Sequence, residues 1–388
     1  MAADWLSLVF IVASVFGSMC ALGAAWAARW FARQPAAPTP ATWPDVSILK
    51  PLFRAEARLS ENLETYFHQD YPGEIQYILG VQDPADSAIP IVKSLIERYP
   101  GLDIQLIVNG AAHGANRKVS NLINMARVAR HPLIVLADSD VAVGPNYLRT
   151  LASGLAQPGV GAVTCLYRGL PSRGFWSRLS SLAVDDHFLP ATILGLALGL
   201  ARPCLGATIA LSRETLSRIG GFEIVADQLA DDYAIGKAVR QAGLRVIVPP
   251  MLVGHTSQED SLSEALRHEL RWARTIFTVD PVGYVGSGFT HALPLAVIGA
   301  ALRGFDAPGL AAILGALACR LFLKYRLTRE FDLPNPNYAL LIPRDILSFI
   351  VYFASFWSTR VSWRGQDFAV ARDGTLLATA EPRTGSGS

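Results

Sequence analysis

The chain has 388 residues, enough for one large domain with room left for membrane segments. It is 51% hydrophobic and only 17% charged, poorer in charge than a typical soluble domain, with 34 basic residues against 32 acidic ones. The near-balance without a basic block speaks against a nucleic-acid surface. Four cysteines without CxxC spacing speak against zinc or a disulfide framework.

Residues Trp5 to Phe31 carry no charge before Arg29. They are long enough to cross a bilayer, which takes about 20 apolar residues. The start lacks a basic n-region, so residues 1–33 are expected to be an N-terminal transmembrane anchor rather than a cleaved signal peptide. Arg29 and Arg33 after the span, against Asp4 before it, predict that the following segment faces the cytoplasm. Residues 34–44, "QPAAPTPATWP", form a stiff proline-rich linker.

From residue 45 to 282 the pattern alternates. "VSILKPL", "IQYILGVQD", "DIQLIVNG" and "PLIVLADSD" read as buried strands. Between them lie helical patterns, with Leu59, Leu63 and Phe67 on one face and Ile91, Leu95 and Ile96 on another. Such a series predicts an α/β domain with a mostly parallel sheet, which binds ligands where its strands end. Three of the runs end in polar residues: "VQDPAD", "VNG" and "ADSD".

Beyond residue 283 come three apolar stretches, Tyr284 to Leu302, Ala307 to Leu323 and Tyr338 to Trp357. They predict membrane-associated helices over 283–358. Arg320 interrupts the second and Arg344 with Asp345 the third, which leaves spans, re-entrant segments and interfacial helices open. Residues 359–388 are expected as a tail, and its end, "EPRTGSGS", has the composition of disorder.

Several side chains stand out along the way. Asp138 and Asp140, at i and i+2 on an extended chain, project to one side and repel at pH 7. A lone aspartate there would be a turn residue. A pair points to a shared divalent cation, magnesium or manganese, with positions left for phosphate oxygens. In "QLADDYAIGKAVRQAG", Asp231 and Asp232 open a helix. They complement its dipole, or one of them serves as a general base. Gly206 and Ala207 permit close approach of another group, or simply tight packing of the strand. Arg267, Arg271 and Arg274 share one face of "SLSEALRHELRWARTI", as a solvated stripe or as guanidinium groups for phosphate. His187, in "DDHFLP", is a candidate for an acceptor groove, with a capping or core role as the alternative.

With these motifs in this order and spacing, the chain resembles the ceramide glucosyltransferase-like family of membrane glycosyltransferases with a GT-A fold, over nearly its whole length. "VQDPADSAI" matches the first aspartate motif, with Asp86 at the acid, "ADSD" the second and "ADDY" the third, with Asp232 at the presumed base. "GANRKVSNLINM" matches the intervening segment at Asn116, Lys118 and Asn121, and "HELRW" stands at the Q/R-x-x-R-W signature. Two departures stand out. His268 replaces Gln or Arg at the first signature position, with Arg267 beside it, and "DSD" is a complete D-x-D.

The resemblance implies an inverting transfer from a UDP-sugar to a membrane lipid hydroxyl. Asp232 would be the base, and Asp140 with Asp138 would hold Mg2+ or Mn2+. Asp86, Lys118, Arg271 and Trp272 would bind the donor. Within the family, "GANRKVSNLINM", "VTCLYRGLP", "LADDYA" and "RHELRWARTI" look most like the bacterial hopanoid-biosynthesis-associated members, understood to move N-acetylglucosamine from its UDP donor to bacteriohopanetetrol. That likeness implies a multi-pass inner-membrane protein with its catalytic domain in the cytoplasm. A ceramide glucosyltransferase using UDP-glucose is the nearest alternative. A processive polysaccharide synthase and an inactive lipid-binding scaffold are more distant ones.

Overall fold

The structure is a computed structural model that describes residues 2–334, 336–357, 360–363, 366–371 and 374–378, and the "EPRTGSGS" end lies outside the described residues. After helix α1 (Ala2–Ala32), ten strands follow: β1 (Val46–Pro51), β2 (Ile75–Val81), β3 (Asp103–Val108), β4 (Leu133–Leu136), β5 (Val141–Ala142), β6 (Val160–Thr164), β7 (Leu166–Pro171), β8 (Ile209–Ser212), β9 (Arg245–Ile247) and β10 (Leu252–Ser257). Seven of them form one sheet in the order β3-β2-β1-β4-β8-β6-β9, and β5-β10-β7 form a smaller one beside it. Within the large sheet β1 pairs parallel with β2 and β4, β2 with β3, and β6 with β9. Strand β8 runs antiparallel to β4 and β6.

Helices α2 (Leu59–Phe67), α3 (Ala88–Arg98), α4 (Arg117–Ala126), α5 (Tyr147–Leu155), α6 (Gly174–Ala183), α7 (Leu189–Ala197), α8 (Arg213–Arg218), α9 (Asp231–Gln241) and α10 (Leu262–Val279) connect and flank the strands. Both faces of the large sheet are covered. Ile48 of β1 packs into a core with Leu59, Leu63 and Leu95, while its neighbour Leu49 packs into another with Val119, Leu122 and Ile235. This is why the strands read as continuous apolar runs rather than alternating ones. Because β8 is reversed, its entry at Gly206–Thr208 lies at the same sheet edge as the exits of β1, β2 and β4.

Among the described residues, three helices are long and apolar enough to cross a membrane: Asp4–Ala32, Ala307–Phe331 and Tyr338–Trp357. The pair Pro281–Thr290 and Ala292–Leu302 is bent by 62°. Their helical parts after α10 are α11 (Pro281–Ser287), α12 (Ala292–Leu302), α13 (Ala307–Phe331) and α14 (Leu341–Ala354). The charges that interrupt the apolar pattern all turn inward: Arg320, Arg344 and Asp345 are 5%, 0% and 2% exposed. Within the span expected as a tail, β11 (Arg360–Trp363), β12 (Gln366–Val370) and β13 (Leu376–Ala378) pair antiparallel. The Leu376 N–H donates to the Asp227 carbonyl at 2.7 Å, so this segment reaches the loop before α9.

The N-terminal helix is part of a bundle rather than a lone tether. Its small face, Ala21, Ala24, Ala25 and Ala28, meets Ile193 of α7 and Leu323 and Leu327 of α13. The Ser7 and Ser14 hydroxyls donate to the Gly299 and Ala292 carbonyls of α12, both at 2.8 Å. At Gly17 an added Cβ would stand 2.1 Å from the Phe289 carbonyl oxygen. Close backbone approach through small residues is how membrane helices gain dispersion contacts without a hydrophobic drive. Gly17→Val is therefore expected to lower the melting temperature of the detergent-solubilised chain, with overpacking worth about 1–3 kcal/mol. Val9→Ala, on the exposed face of α1, should leave it nearly unchanged.

Candidate active site

Strand β4 ends at Leu136, and Asp138, Ser139 and Asp140 form the turn into β5. Lys50, the one charged residue in the apolar run of β1, fixes this turn from below. Its Nζ donates to the carbonyls of Asp138 at 2.7 Å and Val141 at 3.4 Å, and lies 3.8 Å from the Tyr66 ring centroid. Complete burial lowers the Lys50 pKa to about 7, against the opposing pull of Asp140, Asp138 and Glu56. The turn's backbone is thereby held so that both carboxylates face the cleft, 34% and 28% exposed.

On one side of the turn, Lys118 sits between Asp138 Oδ1 at 2.8 Å and Asp231 Oδ2 at 3.4 Å. Asn116 brings them together. Its side chain caps α4 by accepting from the Val119 N–H and donates from Nδ2 to the Gln228 carbonyl at 2.8 Å, tying α4 to the loop that leads into α9. The Asp232 carboxylate is held by two amides, Gly206 N–H at 2.8 Å and Tyr233 N–H at 2.7 Å. A side chain at 206 would push these charged groups apart. A Cβ there would lie 2.9 Å from Asp138 Oδ2, 3.0 Å from Lys118 Nζ and 3.5 Å from Asp232 Oδ2. Burial, then the charge of Asp231, raises the Asp232 pKa to about 6, with Lys118 and the two amides working the other way. Asp138 is also raised, by burial and then by Asp140, against the attraction of Lys118.

On the other side, Asp140 Oδ2 lies 3.3 Å from His255 Nε2 of β10. Burial opposes ionisation of Asp140, but His255, His268 and Lys50 prevail and hold its pKa at about 2. Burial works against protonation of His255 too, yet Asp140 and Glu259 raise its pKa. Helix α10, capped by Ser261, brings His268 onto Glu259 and stacks Trp272 edge-on against His268 and His255, with ring centroids 4.7 and 5.2 Å apart. Arg271 points the same way and is in no ion pair among the described residues. Burial lowers its pKa while Asp140 and Asp138 pull it up. The ring of Tyr167 lies against His255 and Trp272, and burial, then the charges of Asp232, Asp140 and Asp138, raise the pKa of its hydroxyl.

The structure thus brings Asp138, Asp140, Lys118, Asp232, Arg271 and Trp272 to one cleft, with Asp231 among them. Asp86 stands apart at the exit of β2. Both of its oxygens accept the Arg54 N–H at 3.0 Å, and Oδ1 also accepts the Ala88 N–H at 2.8 Å. His187 pairs with Asp345 at 3.0 Å and contacts Arg320, toward the membrane helices rather than the acids. Of the arginine stripe, Arg267 is exposed and folds back onto the Ser263 carbonyl. It is His268, not its neighbour, that faces the site. Lys50, Tyr167, His255 and Glu259 were not singled out from the sequence. Lys50 alone left a signal there, as a charge inside a buried strand.

The cleft fits a hard divalent cation. Asp140 Oδ1 is buried without a hydrogen-bond partner, an orphaned hard oxygen of the kind such an ion takes, while Oδ2 is engaged by the His255 imidazole. A separate group, Asp45, Glu74 and His131, has its ligand atoms within 4.8 Å of one another where β1, β2 and β4 begin, at the far edge of the sheet.

Residues 6–376 match the family described as glycosyl transferase family 21. Ceramide glucosyltransferase 1 of Caenorhabditis elegans is 26% identical over 208 residues, covering 53% of this chain and 44% of that protein. An N-acetylglucosaminyltransferase of Rhizobium meliloti (strain 1021) is 26% identical over 245 residues, covering 60% and 56%. The chain spans about half the length of the curated relatives it matches. Among solved structures, the mannosyltransferase PcManGT from Pyrobaculum calidifontis, in complex with GDP-Man and Mn2+, superposes with a TM-score of 0.56 at 21% identity, covering 88% of this chain and 98% of that one. The shared architecture is the GT-A-like glycosyltransferase fold with a mostly parallel sheet.

Lys118 is the cation between otherwise repelling acids, and removing one partner of a buried pair costs about 3–5 kcal/mol. Lys118→Met is expected to lower the melting temperature more at pH 8 than at pH 5. Asp138 and Asp232, already raised toward neutrality, take up protons at the lower pH and relieve the repulsion. Equal losses at both pH values would show that charge balance is not what Lys118 supplies.

Proposed function

The chain belongs to glycosyl transferase family 21, and from that membership together with the cleft we propose that it is an inverting membrane glycosyltransferase that moves a sugar from a UDP-sugar to a lipid hydroxyl. The observation that carries this reading is the Asp232 carboxylate. It is fixed by two backbone amides across Gly206 from the Asp138–Lys118 pair, with a pKa near 6 that leaves it ionised at pH 7.

Asp232 takes the acceptor's proton as its oxygen attacks the anomeric carbon, a role worth about a hundredfold to ten-thousandfold. Asp140 and Asp138 would hold a divalent cation, with His255 orienting Asp140, and the ion when bound would supply positive charge against the departing diphosphate. Arg271, desolvated and already drawn toward these acids, offers a fork of donors to the same oxygens. Lys118 keeps the acids from repelling one another and stays available to the donor. Trp272 walls the site against water with Tyr167 and His255. Asp86 organises the loops after β1 and β2 on the donor's uridine or ribose side. His187 borders the acceptor path at the membrane helices.

In this reading the cleft lies next to a bilayer, where a lipid alcohol need not leave its apolar surroundings to meet a soluble nucleotide sugar, and the apolar helices packed beside it support that. We place the catalytic domain, residues 45–282, on the cytoplasmic side of an inner membrane, between the anchor and the helices of 283–358. The preferred substrates are UDP-N-acetylglucosamine and bacteriohopanetetrol, on the likeness of the motifs around Lys118, Asp232 and Arg271. The match to ceramide glucosyltransferase 1 favours UDP-glucose and ceramide as the second reading.

Purified chain with manganese or magnesium, a UDP-sugar and each lipid alcohol should release UDP. The acetamido group in the product mass separates the two readings. Asp232→Asn should cut kcat by about a hundredfold or more with little change in the donor KM. Full turnover in this variant would sink the base assignment. Since the base works only when ionised, kcat/KM should fall about tenfold per pH unit below pH 6 and level off above it. Chelation with EDTA should abolish turnover, and added Mn2+ should restore it.

A further inference from the structure

We propose that Arg344, on membrane helix α14, is a positioning residue for the transfer reaction: through Glu269 it fixes the helix that carries His268, Arg271 and Trp272 into the cleft. The inference rests on the transferase reading for its kinetic consequence and on the geometry alone for its structural one.

Arg344 is completely buried and makes a two-pronged pair with Glu269, Nη1 to Oε1 at 2.7 Å and Nη2 to Oε2 at 2.6 Å. Nη1 also donates to the Leu179 carbonyl of α6 at 3.1 Å, and Nε to the Ser348 hydroxyl one turn along α14. One guanidinium therefore joins α14, α10 and α6. Arg344 lies six residues into the Tyr338–Trp357 span, about 9 Å along a helix axis, so its charge sits well inside that apolar stretch and needs the carboxylate it has found.

Helix α10 has two working faces. Leu266, Leu270, Ala273 and Phe277 pack with Tyr284, Val351 and Tyr352 on the membrane-helix side. His268, Arg271 and Trp272 point about the other way, into the cleft. At about 100° per residue, Glu269 falls at the edge of the first face. Apolar contact alone lets a helix slide or rotate, whereas a planar fork on a carboxylate admits one orientation. A buried ion pair adds little net stability over apolar groups of the same shape, so what this one contributes is direction. A misplacement of about 1 Å in a substrate-positioning group can cost about a hundredfold in rate.

A second link runs in parallel. Lys324 holds both oxygens of Asp186 at 2.7 and 2.9 Å, and Arg320 donates to the Asp186 carbonyl at 3.0 Å and to Asp345. Asp186 belongs to the π-turn Val184–Phe188. Phe188 of that turn stacks on Tyr167 at 4.6 Å, and Tyr167 in turn meets His255 and Trp272. The membrane bundle thus grips the cleft at two places, and Arg344 is the grip on α10.

The test uses the full chain in nanodiscs, with Arg344→Gln, Glu269→Gln and the double variant. Each single change should lower kcat per folded molecule at least tenfold and also raise the donor KM, since α10 carries Arg271 and Trp272 as well. The double variant should be no worse than either single one, since both break the same link. Arg344→Lys, which keeps the charge without the fork, should recover only part of the rate. Hydrogen exchange over residues 262–279 should quicken in all variants while residues 133–136 stay protected. If Arg344→Gln fails to fold, the isosteric Glu269→Gln carries the same test. Unchanged kcat per folded molecule, or fully additive losses, would overturn the proposal. An inactive wild-type chain would instead sink the transferase reading, and exchange over α10 would still decide whether Arg344 orders that helix.

Discussion

Four carboxylates, Asp138, Asp140, Asp231 and Asp232, share one cleft, and they cannot all stay ionised there without positive charge set among them. Everything around the cleft answers that constraint. Lys118 stands between two of the acids, His255 faces a third, and Lys50 steadies the turn that carries the D-x-D pair. The outcome is uneven: Asp140 is pushed down to about 2 and Asp232 up to about 6. Groups whose environments drive their titrations apart are suited to different tasks. Here one acid is suited to a cation and the other to a proton.

The sheet makes this meeting possible. Strand β4 delivers Asp138 and Asp140 to the edge where parallel strands end, and the reversed β8 starts at that same edge, bringing Gly206. Because Gly206 has no side chain, its amide reaches Asp232 while Asp138 and Lys118 close in from the other side. The membrane helices then hold the outer wall. Their inward charges, costly to bury alone, find partners on α10 and on the π-turn beside Tyr167. The N-terminal helix joins this bundle through its alanines and serines, so it braces the domain.

The α/β alternation, the spans and the D-x-D turn were legible in the sequence because each is a local pattern: runs of apolar residues, a period of 3.6, acids two apart. Asp232 and Arg271, both of which the fold brings to the cleft, were singled out through motif order. What stayed hidden depends on contacts between distant segments. His255 and Glu259 sit in an unremarkable stretch, "GHTSQED", and gain meaning only when β10 lies beside β5 and α10 folds over it. His268, where the motif departs from its usual residue, proved to face the site, because helical phase rather than residue type puts it there. Asp86 proved to be occupied by backbone amides, which no spacing rule would predict.

By itself the sequence determined the class of fold, the apolar stretches long enough to span and which acids were candidates, since these follow from composition and short-range periodicity. Only the tertiary structure decided which acids meet, which cation separates them, and that the interrupting charges of the last membrane helices turn inward to grip the cleft. Pairing energies depend on distance in space, and residues as far apart as Glu269 and Arg344 acquire that distance only when the chain is folded.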